Sequence, residues 1–331
     1  MNILQVRVMD KDLANLKVVA LAGGVGGAKL AYGLAKNLTS GNLTVIVNTG
    51  DDFEHFGLYI SPDVDTVCYT LAGLANPETG WGLRNESWRV FEALEDLNAP
   101  GWFRLGDRDL ATHLERTRLL DEGQRLSEIT RRFCAEWNVD QTVLPMSDKP
   151  VRTIVQTQDG QDLSFQEYFV HQKCQPCVKG FYFSGVDKAK PAPGIIVKIK
   201  EADIIIICPS NPWVSIDPIL AIKGIKAAVS KKPVIAVSPI VGGKAIKGPA
   251  AKMYSELGIT PSATAVAEHY KEFLSGFVFD EIDKNEFENF TQWRIIPYVT
   301  DTIMRSLSER IRLANEILEF GNTIIRRNTL Q

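Results

Sequence analysis

At 331 residues, with 45% hydrophobic and 23% charged residues, the chain has an ordinary globular composition and enough length for one large or two smaller domains. A net charge of −3 gives it none of the basic surface that binding nucleic acid or an anionic membrane requires. No apolar run reaches the length of a membrane span, and five cysteines without a recognisable secretory signal fit reduced thiols in a cytoplasmic protein.

Residues 1–15 read as a short extension. The first strand follows in LKVVALA, and then come Gly23, Gly24, Gly26 and Gly27 before a helical stretch. A strand that opens through glycines into a helix turns backbone N–H groups and a helix N-terminus toward an anion. The turn therefore predicts a nucleotide or diphosphate site in which Gly24, Gly26, Gly27 and Lys29 bind the donor phosphates. It is neither common glycine fingerprint. Counting from Gly24, Lys29 stands where a dinucleotide motif needs its third glycine, and Leu30 follows Lys29 where a P-loop needs Ser or Thr.

The second strand, LTVIVN, ends in Asn48 rather than an acid, and TGDDFEHFG follows it. Ligands of open α/β sheets sit beyond the carboxyl ends of strands, which places Asn48, Asp51 and Asp52 beside the glycine turn. SPDVDT then brings Asp63 and Asp65 to the start of a helical stretch. Paired carboxylates beside a phosphate site need a cation between them, and Mg2+ suits carboxylates and phosphate oxygens. Asp52 and Asp65 are the expected ligands, with Asp63 as a lesser one. The alternative is that Asp63 or Asp65 only caps the helix.

From residue 86 to 138 the spacing of Leu, Ile, Phe and Trp is helical throughout, which predicts a helical subdomain inserted into the sheet. Its loops carry Arg84, Arg104 and Arg108, suited to phosphates or to stacking on an aromatic ring. His113, four residues after Asp109, fits either a proton carrier or a buried helical histidine. Beyond it, VRTIVQT and LSFQEYFV flank a D-G turn and predict a hairpin, with VKGFYFSGV as a further strand. HQKCQPC lacks a fourth ligand for zinc and reads as a loop. ADIIIIC is a central strand ending in PSNP, which puts Ser210 and Asn211 on the ligand edge. LAIKGIKAAVSK, PVIAVSPI, ATAVAEHY and FVFDEID continue as helix, strand, helix and strand, and SLSERIRLANEILEFGNTII closes the chain as an amphipathic helix. The loop VGGKAIKGPAAKM, with Lys244 and Lys247, suits a cover over an acidic substrate or a plain linker. The predicted fold is α/β: a Rossmann-like three-layer parallel sheet of residues 16–85 and 139–331, with 86–138 inserted.

Together, GGVGGAKL, VNTGDDFEHFG, PDVDTVCYTLAG, GWGLRNESW, LGDRDLATH, LPMSDKPVRT, PSNP and SPIVGGKAIKGPAAKM resemble the phospholactate transferase family of coenzyme F-420 biosynthesis. The resemblance implies transfer of a phospho-organic acid from a guanosine diphosphate-linked donor to FO, a hydroxylated deazariboflavin. GMP leaves, Mg2+ is required, and a homodimer is typical. Asp65 and Asp52 take catalytic roles, Asp65 and Arg104 look like the FO-contacting positions, and PSNP looks like part of the guanosine diphosphate pocket. The donor's acid stays open among lactate, enolpyruvate and phosphoglycerate. Two rivals are a non-catalytic nucleotide-sugar-binding regulator of the same fold and a nicotinamide-dependent oxidoreductase.

Overall fold

The computed structural model describes residues 11–329. Its centre is a parallel sheet of seven strands: β1 (Val18–Ala22), β2 (Leu43–Val47), β3 (Thr142–Pro145), β4 (Ile204–Ile207), β5 (Val234–Val237), β6 (Gly276–Asp280) and β7 (Ile296–Thr300). Spatially the order is β7-β6-β5-β4-β1-β2-β3, so β1 pairs with β2 on one side and β4 on the other. This is the Rossmann order with one strand added, and its direction reverses at β1. A crevice is therefore expected beyond the carboxyl ends of β1, β2 and β4.

β1, β2, β4, β5 and β6 are buried along their whole length, which explains their predominantly apolar sequences. Alternate residues serve the two faces. Val18, Ala20 and Ala22 pack with Ile204, Ile206 and Leu313 on one side. Val19 and Leu21 pack with Ile205, Ile207 and Ile219 on the other. Helix α1 (Gly24–Asn37), α2 (Pro62–Leu71) and the closing helix Leu307–Thr329 cover the first face. Between α2 and β3 the chain forms Arg89–Asp96, Asp107–Asp121 and Leu126–Glu136, three helices within the span 86–138.

α1 and the closing helix approach so closely that a Cβ on Gly33 would stand 2.0 Å from the carbonyl oxygen of Arg310. Gly33→Ala should therefore force the helices apart and cost about 3 kcal/mol. Thermal unfolding checks this, and a midpoint unchanged from wild type would contradict it.

Several local expectations change. The first ten residues of the expected extension lie outside the described residues, and Lys11–Ala14 forms a helical turn with Leu13 buried. The hairpin across the D-G turn forms between Arg152–Thr157 and Asp162–Ser164, but its second strand stops there and Glu167–His171 coils into a wide helical turn. Aromatic stacking replaces strand pairing, with Phe165 and Phe169 parallel at 5.4 Å. LAIKGIKAAVSK splits, one short helix ending at Ala221 and the next starting from Gly224, whose φ is +93°. The hairpin Phe53–His55/Leu58–Ile60 and the edge strand β7 had no distinct signature in the sequence.

Candidate functional site

Beyond the carboxyl ends of β1 and β4 lies a cavity of about 710 Å³, a volume suited to a small-molecule ligand. The glycine turn forms its floor. Gly24 has a φ of +60°, and a Cβ on Gly26 would come within 2.3 Å of the Pro209 carbonyl oxygen, so the turn can only follow this path with glycine there. Ser210 locks the turn: its Oγ donates to the Gly23 carbonyl (2.7 Å) and accepts from the Gly23 N–H (3.2 Å). The Gly24 N–H donates to Asp63 Oδ1 at 2.7 Å, which ties the turn to the first helical turn of α2.

Gly24, Gly26, Lys29, Ser210, Asn211, Asp63, Asp65 and Arg104 all line the cavity, as the sequence reading anticipated. Asn48, Gly27 and Asp52, expected at the ligand as well, do not line it. Asn48 is buried behind the cavity and spent on the protein: its Nδ2 donates to Asp63 Oδ2 (3.0 Å) and the Val214 carbonyl (3.1 Å), and its Oδ1 accepts from the Gly50 N–H (2.8 Å). It holds Asp63 in place. Gly27 packs against Ala22 and Ser210. Both Asp52 oxygens are occupied, Oδ2 by the Tyr59 hydroxyl and Oδ1 by Ser61 Oγ, each at 2.8 Å. Burial still pushes Asp52 up to about 7, against the pull of nearby Arg152.

Asp51 takes the position expected of Asp52. It lines the cavity, and its buried Oδ1 has no hydrogen-bond partner. Burial and the neighbouring Asp63 push its carboxyl well above the usual range. Asp63 itself is lifted to about 6 by burial, opposed by Asn48 and the Gly24 amide. The unpartnered Oδ1 of Asp51 is a donor of the kind a hard divalent cation takes, and the Asp63 oxygens, each engaged by one N–H, keep a further lone pair beside it, so Mg2+ suits these two acids.

A second acidic centre lies on the wall formed by the helix Asp107–Asp121. Arg116, 1% exposed, meets Asp65 through both terminal nitrogens, with Nη1 donating to Oδ2 at 3.0 Å and Nη2 to Oδ1. The same Nη1 lies 3.1 Å from His113 Nδ1. Because arginine only donates, Nδ1 accepts and the His113 proton sits on Nε2, 3.5 Å from Asp109 Oδ1. Tyr69 donates its hydroxyl to Asp109 at 2.7 Å. Burial raises the Asp65 carboxyl while the Arg116 guanidinium opposes it. Asp65, Asp109 and His113 place ligand atoms within 4.8 Å of one another, but the Arg116 guanidinium already supplies positive charge against Asp65. Arg116 was not singled out in the sequence. Its signal was there: Asp109, His113 and Arg116 follow i, i+4, i+7 spacing, one face of a helix.

The remaining wall is aromatic. Trp81, Trp102, Phe103, Phe165 and Phe169 line it, and the His171 ring stacks on Trp102 at 5.3 Å. Arg104 reaches the cavity with its guanidinium 4.5 Å from the Trp88 ring centre and 5.0 Å from that of Phe91.

The carboxylates predict a pH response. With Asp63 near 6 and Asp52 near 7, the folded chain keeps protons that an unfolded chain has released above about pH 4. Stability should therefore fall as pH climbs from about 4 to 7. Chelator-treated protein should melt at a higher temperature at pH 5 than at pH 8, with a smaller difference in Asp52→Asn/Asp63→Asn. Added Mg2+ should raise the midpoint at pH 8 and hardly change it at pH 5. An equal Mg2+ effect at both pH values would contradict this.

Residues 18–315 match the family model of the 2-phospho-L-lactate transferase CofD. The chain belongs to that family. It is 40% identical over 316 residues to a phosphoenolpyruvate transferase of Streptomyces griseus, covering 93% of this chain and 99% of the relative. It is equally 40% identical over 320 residues to a 2-phospho-L-lactate transferase of Methanopyrus kandleri, covering 94% and 99%. The crystal structure of a UPF0052-family protein from Bacillus halodurans superposes with a TM-score of 0.56 at 16% identity, covering 87% of this chain and 93% of that one. That likeness concerns the fold alone. The CofD family is one of transferases, and the chain has the family's α/β architecture with its cavity at the sheet's switch point. Among the described residues, no helix is long and apolar enough to cross a membrane.

Proposed function

We propose that this CofD-family protein transfers a phospho-organic acid from a guanosine diphosphate-linked donor to the terminal hydroxyl of FO, releasing GMP, in coenzyme F-420 biosynthesis in the cytoplasm. The observation that carries the reading is a single cavity lined both by a glycine turn with carboxylates and lysine and by aromatic rings. The glycine turn and lysine suit a diphosphate, the aromatic rings a flat conjugated ring.

Asp51 and Asp63 would hold Mg2+, which when bound supplies charge neutralisation for phosphoryl transfer. The first helical turn of α1 and Lys29 orient the diphosphate. The aromatic wall and Arg104 position FO with its ribityl hydroxyl toward the diphosphate. Asp65, held in place by Arg116, accepts the proton of that hydroxyl as it attacks the phosphorus bearing the acid. Burial raises the Asp65 carboxyl, which makes it a stronger base than a solvated carboxylate. The oxygen–phosphorus bond to FO forms as the bond to the GMP phosphate oxygen breaks.

Incubating the purified protein with FO, Mg2+ and either the lactyl or the enolpyruvyl donor tests this, with the FO-derived product identified by mass and GMP by chromatography. Product with one donor supports the reading and names the acid. No product with either donor, together with tight binding of a uridine diphosphate sugar, would favour the regulatory reading instead. A homodimer is proposed from the resemblance, and light scattering checks it.

A further inference from the structure

The loop between β5 and the helix Ala250–Glu256 is not used in the scheme above. It forms the small hairpin Ile240–Val241/Lys244–Ala245 and runs on through Lys247 to Pro249. Its base is fixed where the Gly242 N–H donates to the Asp283 carboxylate at 3.0 Å. Its far part, Ile246, Lys247 and Gly248, lines the cavity. There Lys247 Nζ donates to the Thr79 carbonyl at 2.6 Å, joining this loop to the 76–82 loop on the opposite rim. Nζ also lies 3.5 Å from the Cβ position of Gly80, which itself stands 2.6 Å from the side chain of Val25, the second residue of α1. The ammonium thus hangs over the start of α1, the part of the floor formed by the glycine turn.

Lys29 approaches the same space from within α1. Its Nζ donates to the Met304 carbonyl at 2.9 Å. Among the described residues neither lysine has a carboxylate within ion-pair distance, and Arg305 on the same rim shares Asp301 and Glu309. Burial, then Arg310 and then Lys247 lower the Lys29 ammonium from its usual range. Like charges gathered around an open cavity, each with donor capacity left over, are stabilised by an anion carrying more than one negative charge.

We infer that Lys247 clamps the donor's diphosphate from above, opposite Lys29, and that the 242–248 loop is the cover that brings it there. The inference rests on the reading of the cavity as a diphosphate site but not on the nucleoside attached. Lys247 already spends one proton on Thr79 and has two left for phosphate oxygens. Ile246, 54% exposed on the same loop, would gain cover from a bound ligand.

The test measures binding calorimetrically in Mg2+ with inorganic pyrophosphate, with GDP and with FO, for wild type, Lys247→Met and Lys247→Arg. Lys247 is exposed, so neither variant should disturb folding. Loss of a charge-assisted hydrogen bond should weaken pyrophosphate at least tenfold in the Met variant. The Arg variant should recover to within about threefold of wild type, and FO affinity should not change. In turnover the Met variant should raise KM for the donor and leave KM for FO alone. Equal pyrophosphate affinity in wild type and Met, or no pyrophosphate binding by wild type, would overturn the clamp. So would a matching loss of FO affinity, which would make Lys247 a loop fastener only. If pyrophosphate behaves as expected while wild type fails to bind GDP, the clamp stands and the guanosine assignment falls.

Discussion

Asp65→Asn should lower the rate of product formation about a thousandfold, the middle of the range for losing a positioned general base. The carboxylate lines the cavity, is raised by burial and is held by two donors of one guanidinium. Asparagine keeps its size and one acceptor oxygen for Arg116 but removes the counter-charge of that buried guanidinium, so the variant should be less stable and its rates are measured at a temperature where circular dichroism shows it folded. What disappears is the capacity to take a proton. The loss should fall on kcat, with FO and pyrophosphate binding changed by no more than about threefold, because positioning by the aromatic wall and the glycine turn is untouched. Steady-state rates combined with calorimetry check both parts. Retention of activity within tenfold of wild type would remove Asp65 from the chemistry.

Arg116→Met should have the largest effect on stability, about 3–5 kcal/mol. The side chain is 1% exposed and contacts Asp65, His113 and the Tyr59 carbonyl, with its guanidinium 5.9 Å from the centre of the Phe133 ring. Methionine fills much of the volume but leaves Asp65 buried without its counter-charge, beside Asp109. Denaturant unfolding measures the loss. The double variant Asp65→Asn/Arg116→Met should recover part of it, since the uncompensated charge is then gone. A single variant within about 1 kcal/mol of wild type, or a double variant whose losses simply add, would show that the pair is not the anchor described here.

The two residues were unequally visible in the sequence. Asp65 lies in a local pattern, two acids in the first turn of a helix just beyond a strand, and such a pattern is read without knowing the fold. Arg116 lies in the middle of an ordinary charged helix, DRDLATHLERTRLLD, in which several arginines look alike. Arg118 pairs with Glu115 and Glu122 at the surface, while Arg116, two residues away, points into the site. Only the packing of that helix against Tyr59 and α2 distinguishes them.

Local sequence determined the parts that depend on neighbours along the chain. The buried strands follow from predominantly apolar runs, the ligand-side turn from its glycines, and the position of the acids from strand ends. These rest on backbone sterics and burial, which act over a few residues. Tertiary structure decided between Asp51 and Asp52. Adjacent residues at a strand end point in different directions, and only the folded structure shows that Asp51 lines the cavity while Asp52 turns to Tyr59 and Ser61. It likewise decided that Asn48 serves Asp63 and that Lys247 hangs over α1, because each contact joins segments far apart in the chain. A polar side chain's role depends on which partner reaches it first, and that is set by the packing of the sheet and its helices.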